Sequence, residues 1–573
     1  MKLKYIALSA ALGLMALSSC NDFLDKVPDT RVDLQNVEQL RQLLITGYLD
    51  VNYAATGELS SDNMVDNQAP DEEGNRYNLT SYALPDEQLF KWEDVNTGTD
   101  NETPSGIWSG CYGAIACANA VLEKADEMEA NGKLSGTDLE KLRAVEGEAY
   151  LIRAYHHFVL ASFFCMPWRG DELSAQYQGI PYITKPETTV KPHYERGTLL
   201  ETYKNIEADL LKGLPLINDS YYEIPKTHFN KSAANAFACR FYLTKRDYEK
   251  VLEYANAAFN GSDPSQLMSD LWSQSNFYYI KDINRYATST QRPGNWLQLS
   301  TYSTWWRRYR GYRFACNREA RRATIQGPGP SWENCRYRNT RTNQTFSMNP
   351  CFASVCGTSG EAEYGSYFAG NCGEQFEYTD KLAGIGYCHV VRHEFWAEET
   401  LLARAEAKLF MGDTEGCVAD LKIWDDARQN NIAGNSNMVP LTAKLIEKFY
   451  TTKGGGDEFG IMKTIHIDEV CPTAKYHLTE AMMPYMQCIQ HYRRIETVHT
   501  GLRWLDIKRL GLSITHYFGR FNQKYTLKTL DDRYAIQIPS EVRMAGLEPN
   551  VRIPADSTSA YATNDAKFIV PVK

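Results

Sequence analysis

The feature that limits this chain most is a helical hairpin written into Asn230–Asn260. Helix-period spacing runs from Ser232 to Thr244, breaks at Lys245-Arg246-Asp247, and resumes from Tyr248 to Phe259. Across the two runs Cys239, Tyr242, Val251 and Ala258 fall where a tetratricopeptide repeat has small, aromatic, small and small residues, although Ala255 stands where that repeat usually carries a larger one. Small side chains at the crossing let two helices approach closely, and Tyr242 fills the gap that is left. Such a hairpin leaves an apolar face that it cannot bury alone. It must stack on others.

The rest of the chain supplies partners. Apolar residues recur at helical spacing over Trp108–Met128 and, after a turn at Gly132 and Gly136, over Leu139–Phe164, where Leu142, Val145, Ala149, Ile152, Tyr155 or His156, and Val159 make one stripe. The link Gly179-Ile180-Pro181-Tyr182 leads to a helix near Thr198–Leu214, and a second repeat-like hairpin spans Phe395–Arg428 around Gly412-Asp413. Val37–Tyr48 reads as a short helix and Thr479–Leu510 as helix again. Tyr53–Thr103 reads as long surface loops, and Ser513–Lys573 as short irregular or extended pieces. The prediction is a mostly α fold: a degenerate tetratricopeptide-like helical-repeat scaffold with long loop-rich insertions and few short strands. Its expected divisions are 1–19, a lipoprotein signal peptide; 20–262, repeat helices with early binding loops; 263–391, an insertion; 392–512, C-terminal repeat helices; and 513–573, an irregular end, with everything after the signal forming one domain.

The insertion differs in composition. It lacks long periodic runs and is rich in Arg, Tyr, Trp, Gly, Asn and Cys. With 36 Tyr and 11 Trp in the chain, the aromatic excess points to contact surfaces, because both residues join an apolar body to a polar tip. Fourteen cysteines include Cys20, and six of the others (Cys316, Cys335, Cys351, Cys356, Cys372, Cys388) lie in this stretch without zinc-finger spacing. Two or three disulfides are expected there, with buried thiols as the alternative.

That expectation depends on compartment, which the first residues address. Lys2 and Lys4 precede an apolar run from Tyr5 to Leu17, and Leu17-Ser18-Ser19-Cys20 follows. This is the layout of an export signal ending in a lipobox, with small residues that let a peptidase close before Cys20. The run is shorter than the roughly 20 residues a membrane-spanning helix needs. Cys20 is the expected lipidation site, holding the body to a membrane through acyl chains.

Net charge is -10, mixed along the chain, which lacks the basic footprint of a nucleic-acid binder. Glu146 with Glu148, and Glu394 with Glu398 and Glu399, offer paired carboxylates of the type glycoside hydrolysis uses, but on predicted helices they read as capping or ion-pairing groups. His156-His157 read as packed histidines, and His389 with His393 lack a third ligand, so neither a metal nor any other cofactor is expected. A sugar presents a face of C–H groups and a rim of hydroxyls, which flat rings and a few polar groups recognise. The expected ligand-binding residues are Trp305, Trp306 and Tyr309, with Trp296 or Tyr312, and with Tyr77 or Trp92 from the early loops. The rival reading makes these rings local core. Arg307, Arg308, Arg310 and Arg313 crowd the same stretch and suit either an anionic ligand or neighbouring acids.

Seven phrases carry a resemblance. They are CNDFLD from Cys20, AVEGEAYLIRAYHHFVLASFF from Ala144, GIPYITKPE from Gly179, NKSAANAFACRFYLTKRDYEKVLEYANAAF from Asn230, RHEFWAEETLLARAEAKLFMGD from Arg392, GLRWLDIKRLG from Gly501 and IQIPSEVRMAGLEPN from Ile536. In this order they resemble the SusD/RagB lipoproteins of Bacteroidetes outer membranes. One departure is local: the family usually has an acid before the arginine pair and Glu-Gly before Arg-Trp, whereas here His491-Tyr492 precede Arg493-Arg494 and Thr500-Gly501 precede Arg503-Trp504. The resemblance implies a non-enzymatic, surface-exposed, lipid-anchored outer-membrane protein. It also implies a SusC-like TonB-dependent transporter as partner, with oligosaccharides, or in some members peptides, as cargo. A structural repeat scaffold and a glycoside hydrolase are the readings from other classes.

Overall fold

A computed structural model of the protein describes residues 34–553, apart from 49–51, 72–73, 75, 77–79, 99, 190–192, 270–284, 306–311, 326, 333–352, 356–366, 370–372, 430–438, 452–455 and 457–459. Counting helices of six residues or more, α1 (Val37–Ile45), α2 (Ala54–Leu59) and α3 (Leu84–Phe90) come first. The scaffold follows as α4 (Pro104–Ala130), α5 (Thr137–Phe164), α6 (Leu199–Gly213), α7 (Lys231–Lys245) and α8 (Tyr248–Phe259). Beyond the insertion lie α9 (Ala397–Phe410), α10 (Thr414–Arg428), α11 (Ala443–Phe449), α12 (Met483–Glu496) and α13 (Arg503–Leu510).

The founding hairpin forms where its spacing predicts. The Asn230 side chain accepts from the Ala233 amide to start α7, and Asp247 accepts from Lys250 to start α8. Between them Arg246 takes a left-handed φ of 60°, and its guanidinium donates to the carbonyls of Ile467, Cys471 and Tyr476. The turn of one repeat thus anchors a segment more than 200 residues away in sequence. Hairpins α4–α5, α7–α8 and α9–α10 stack as expected, α6 lies along α5, and α12 covers α9.

At the α5–α6 crossing the two backbones touch. A methyl group added at Gly147 would lie 2.6 Å from Leu216 Cβ and 3.1 Å from the Gly213 carbonyl oxygen. Gly147→Leu should therefore cost about 1–3 kcal/mol through overpacking. Gly113→Ala in α4 meets nothing within 4 Å and should be neutral or mildly stabilising. Urea titrations of the two variants check this; equal midpoints would contradict it.

The C-terminal helices are joined to the repeats by buried charge. Arg240 on α7 pairs with Glu394 and Glu399, Arg493 on α12 with Glu399 and Asp506, and Arg509 on α13 with Asp506 and Glu406. Arg392 also pairs with Glu394. Four arginines meet four carboxylates, so the chain of pairs is neutral as a unit and tolerates burial.

Strands are few, as predicted, and the main sheet belongs to the insertion. They are β1 (Val65–Asp66), β2 (Asn295–Tyr302), β3 (Phe314–Ala315), β4 (Ala353–Val355), β5 (Tyr367–Ala369), β6 (Glu374–Asp380), β7 (Ile385–Trp396), β8 (Ile514–Phe518) and β9 (Gln523–Leu527). The main sheet is antiparallel with order β2-β7-β6. Three expectations are corrected. Tyr53–Thr103 contains α2 and α3 as well as loops, because helices of six and seven residues are too short to display a period. Helix α9 starts at Ala397, since β7 runs through Phe395 and Trp396 before the chain turns. Cys316 is a buried free thiol and takes no part in a disulfide; Cys335, Cys351, Cys356 and Cys372 lie outside the described residues.

Candidate functional site

The insertion is fastened to the start of the scaffold. Thr103 caps α4, and the carboxylate of the preceding Glu102 accepts from Ser303 Oγ at 2.5 Å and from the amide and hydroxyl of Thr304 at 3.2 and 3.1 Å. Burial pushes the Glu102 pKa up to about 7. Asn52 Nδ2 donates to Thr301 Oγ1 just upstream. Seven residues beyond Trp305, at Tyr312, the insertion meets the early loops again: Ser81 bridges Tyr312 in parallel, and β1 pairs with β3.

Asp66 joins three segments at this meeting point. It accepts from Arg313 Nε and Nη2 at 2.9 and 2.8 Å, and from the Gly519 amide of the β8–β9 hairpin at 2.8 Å. The Arg313 guanidinium lies over the rings of Phe518 and Tyr82, 4.1 and 5.3 Å from their centroids. Tyr82, 41% exposed, and half-buried Tyr312 face the outside of this junction. Beneath it His516 is sandwiched between Phe90 and Trp92, with centroids at 4.1 and 4.3 Å. This is a tyrosine-bearing surface on a rigid base. Arg313 within it is already neutralised by Asp66.

Comparison with known proteins follows from the architecture. Residues 22–243 match the family model SusD-like_3, described as starch-binding associating with outer membrane. That stretch is similar to the SusD-like family. A curated relative from Formosa agariphila, SusD-like protein P2, is 27% identical over 195 residues, a match spanning 33% of this chain and 33% of the relative. Solved structures share the fold at low identity. A SusD superfamily protein from Bacteroides vulgatus superposes with a TM-score of 0.57 at 14% identity, covering 90% of this chain and 99% of its own. One from Bacteroides thetaiotaomicron gives 0.52 at 16%, covering 90% and 100%. A protein from B. vulgatus titled a putative sugar binding protein gives 0.54 at 16%, covering 91% and 99%.

The aromatic residues singled out from sequence divide. Trp92, Trp296 and Trp305 are 4%, 4% and 2% exposed and offer no open ring face, which corrects the expectation that they form stacking platforms. Trp92 stacks on His516 and donates Nε1–H to the Ser60 carbonyl, and Trp296 meets Phe259 edge-on at 5.5 Å. The rival reading, local core, describes all three. Tyr312 sits at the junction. Tyr77, Trp306, Tyr309 and Cys20, the expected lipidation site, lie outside the described residues. Sequence reasoning passed over Tyr82 as a site residue. Its signal was weak, because one tyrosine among loop residues gains meaning only once Ser81 is seen paired with Tyr312.

Of the candidate carboxylates, Glu148, Glu394, Glu398 and Glu399 are engaged structurally. Glu394 accepts from Tyr53 Oη and Arg240 Nη1 at 2.7 and 2.9 Å, and Glu398 accepts from the Ser269 amide at 2.8 Å and from Arg292 at 3.2 Å. Glu148 holds His228 Nδ1 at 2.7 Å as well as Tyr48. Burial first, then Glu129 and Asp126, push Glu146 up to about 7 on its half-buried helix face. His157 donates Nδ1–H to the Arg153 carbonyl and accepts the Ile183 amide at Nε2, so only the neutral ring fits; burial pushes its pKa down to about 3. His389 and His393 share one face of β7, and four residues at about 3.3 Å each separate them by roughly 13 Å, too far to hold one ion. The arginine pair lacks the usual preceding acid yet is not left bare. Arg494 and Arg503 share Asp62 at 3.4 and 2.8 Å, and Arg493 takes Asp506 at 3.0 Å. Distant segments supply the missing charge.

Proposed function

We propose that this protein is a cell-surface lipoprotein that captures oligosaccharides and delivers them to a partner TonB-dependent outer-membrane transporter. The observation that carries this reading is the family match over residues 22–243, whose description joins starch binding to the outer membrane. Among the described residues no helix is long and apolar enough to cross a membrane, and the expected anchor is a lipid on Cys20. The ligand surface is the junction of early loops and insertion, with Tyr82 and Tyr312 contributing rings and Trp306, Tyr309 and Tyr77 added from the sequence pattern. The neutralisation of Arg313 by Asp66 favours a neutral glycan over an anionic one at that point. Catalysis is not part of the proposal, since Glu394, Glu398 and Glu399 are bound in ion pairs rather than opposed across a cleft.

A glycan array followed by titration calorimetry tests this. The expected outcome is binding of a neutral oligosaccharide that falls at least about tenfold in a Tyr82→Ala, Tyr312→Ala variant and in a Trp306→Ala, Tyr309→Ala variant, with unfolding midpoints unchanged. Undiminished binding in both would remove the site from consideration, and cleavage of the glycan during incubation would replace capture by hydrolysis. In cells, Cys20→Ser should abolish incorporation of labelled fatty acid and release the protein from the membrane fraction.

A further inference from the structure

The insertion's sheet has an edge whose chemistry goes beyond ligand capture. Among the described residues β6 is the outer strand, hydrogen-bonded on one side to β7, and its residues from Gln375 to Asp380 are exposed. Phe376, Tyr378, Leu382, Ile385 and Tyr387 are all exposed within this one hairpin, Leu382 completely. Register assigns their faces. Phe376 opposes Cys388 and Tyr378 opposes Gly386, so the two rings share a face and meet edge-on at 4.8 Å. A side chain at Gly386 would lie 2.8 Å from the Phe376 ring, so that ring lies against bare backbone. Gln375 and Glu377, opposite His389 and Tyr387, occupy the other face.

Edge strands are commonly guarded by charge. Here Glu377 and Tyr387 lie on one face, and the other carries the uncovered rings of Phe376 and Tyr378 beside Glu374. We propose that β6 is a docking edge for an extended segment of a protein partner that adds as a further strand, with aliphatic or aromatic side chains alternating with Lys or Arg. The edge backbone supplies hydrogen bonds, Phe376 and Tyr378 meet the apolar side chains, and Glu377 meets the basic ones. The segment Glu374–Asp380 has three acids and no base. A second copy of β6 would bring three more acids and no base to the edge, and an anionic lipid surface would repel the strand.

The test uses the full chain and a fluorescent, acetylated Lys-Val-Lys-Val-Lys-Val-Lys peptide, with two controls: the same composition in blocks, and the alternating peptide methylated on alternate backbone nitrogens. Fluorescence anisotropy should show saturable binding of the alternating peptide alone. Affinity should fall at least about tenfold in Glu377→Lys and in Phe376→Ser, Tyr378→Ser, each an exposed change that leaves the thermal midpoint in place. Equal binding of the block or methylated peptide, unaltered affinity in the variants, or no binding at all would overturn the proposal. So would sedimentation revealing a dimer that Phe376→Ser, Tyr378→Ser dissolves.

Discussion

Asp506→Ala should destabilise the protein by about 3–5 kcal/mol, because it leaves two buried arginines without their shared partner. Asp506 accepts from Arg493 Nε at 3.0 Å and from Arg509 Nε at 2.7 Å and is almost fully buried. Burial alone would raise its pKa, yet the two guanidinium groups outweigh it and hold the carboxyl at about 2. The remaining partners of those arginines, Glu399 and Glu406, are themselves part of the same run of pairs. Removing one member therefore unbalances α9, α12 and α13 together. Urea unfolding of Asp506→Ala, with Arg493→Met, Asp506→Leu as an apolar replacement of the pair, measures the effect. The double variant should recover part of the loss, and a single variant within about 1 kcal/mol of wild type would show that the pairs do not act as a unit.

Stability should fall gently from pH 6.5 to 4.5 and steeply below. Burial lowers His156 to about 4 and His157, His393, His491 and His499 to about 3, below an ordinary 6.5. A group lowered in the folded state contributes stability that is complete above 6.5 and is lost as pH falls toward the folded value. Burial raises Glu58 and Glu102 to about 7 and Asp425 to about 6, from ordinary values of 4.5 and 3.8. These three take up protons in the folded state first, so they favour folding as pH falls from 7 toward 4.5 and offset much of the histidine loss. Below about pH 4.5 that gain is spent, and each buried histidine costs about 1.4 kcal/mol per pH unit on its own. Urea midpoints should decline gently from pH 6.5 to 4.5, where three acids offset three of five histidines, and drop sharply between pH 4.5 and 3.5. A uniform decline from pH 6.5 downward would contradict the offset, and a flat profile to pH 3.5 would contradict the neutral burial of the histidines.

The helices of the scaffold were legible because each is long enough to repeat. Tyr248–Phe259 forms over the range its spacing marks, and Thr137–Phe164 contains the predicted stripe, although every residue from Leu151 to Phe164 is buried and not one face alone. The aromatic site was only half legible. Composition separates the insertion from the repeats, yet it cannot tell a tryptophan that covers a helix from one that covers a sugar, and Trp92, Trp296 and Trp305 proved to be the former. What drew early loops and insertion together was not visible either, since Asp66 and Arg313 stand 247 residues apart.

The amino-acid order by itself determined the helical hairpins, their small-residue crossings and the compositional break at the insertion, because those depend on contacts a few residues apart. Tertiary structure alone decided which charges neutralise one another and which rings remain open. Those outcomes turn on desolvation, and a side chain loses its water only to neighbours that the folded chain brings from far away. Asp62 taking the place of an acid missing beside Arg494, and Tyr82 emerging at Tyr312, are both decided at that level.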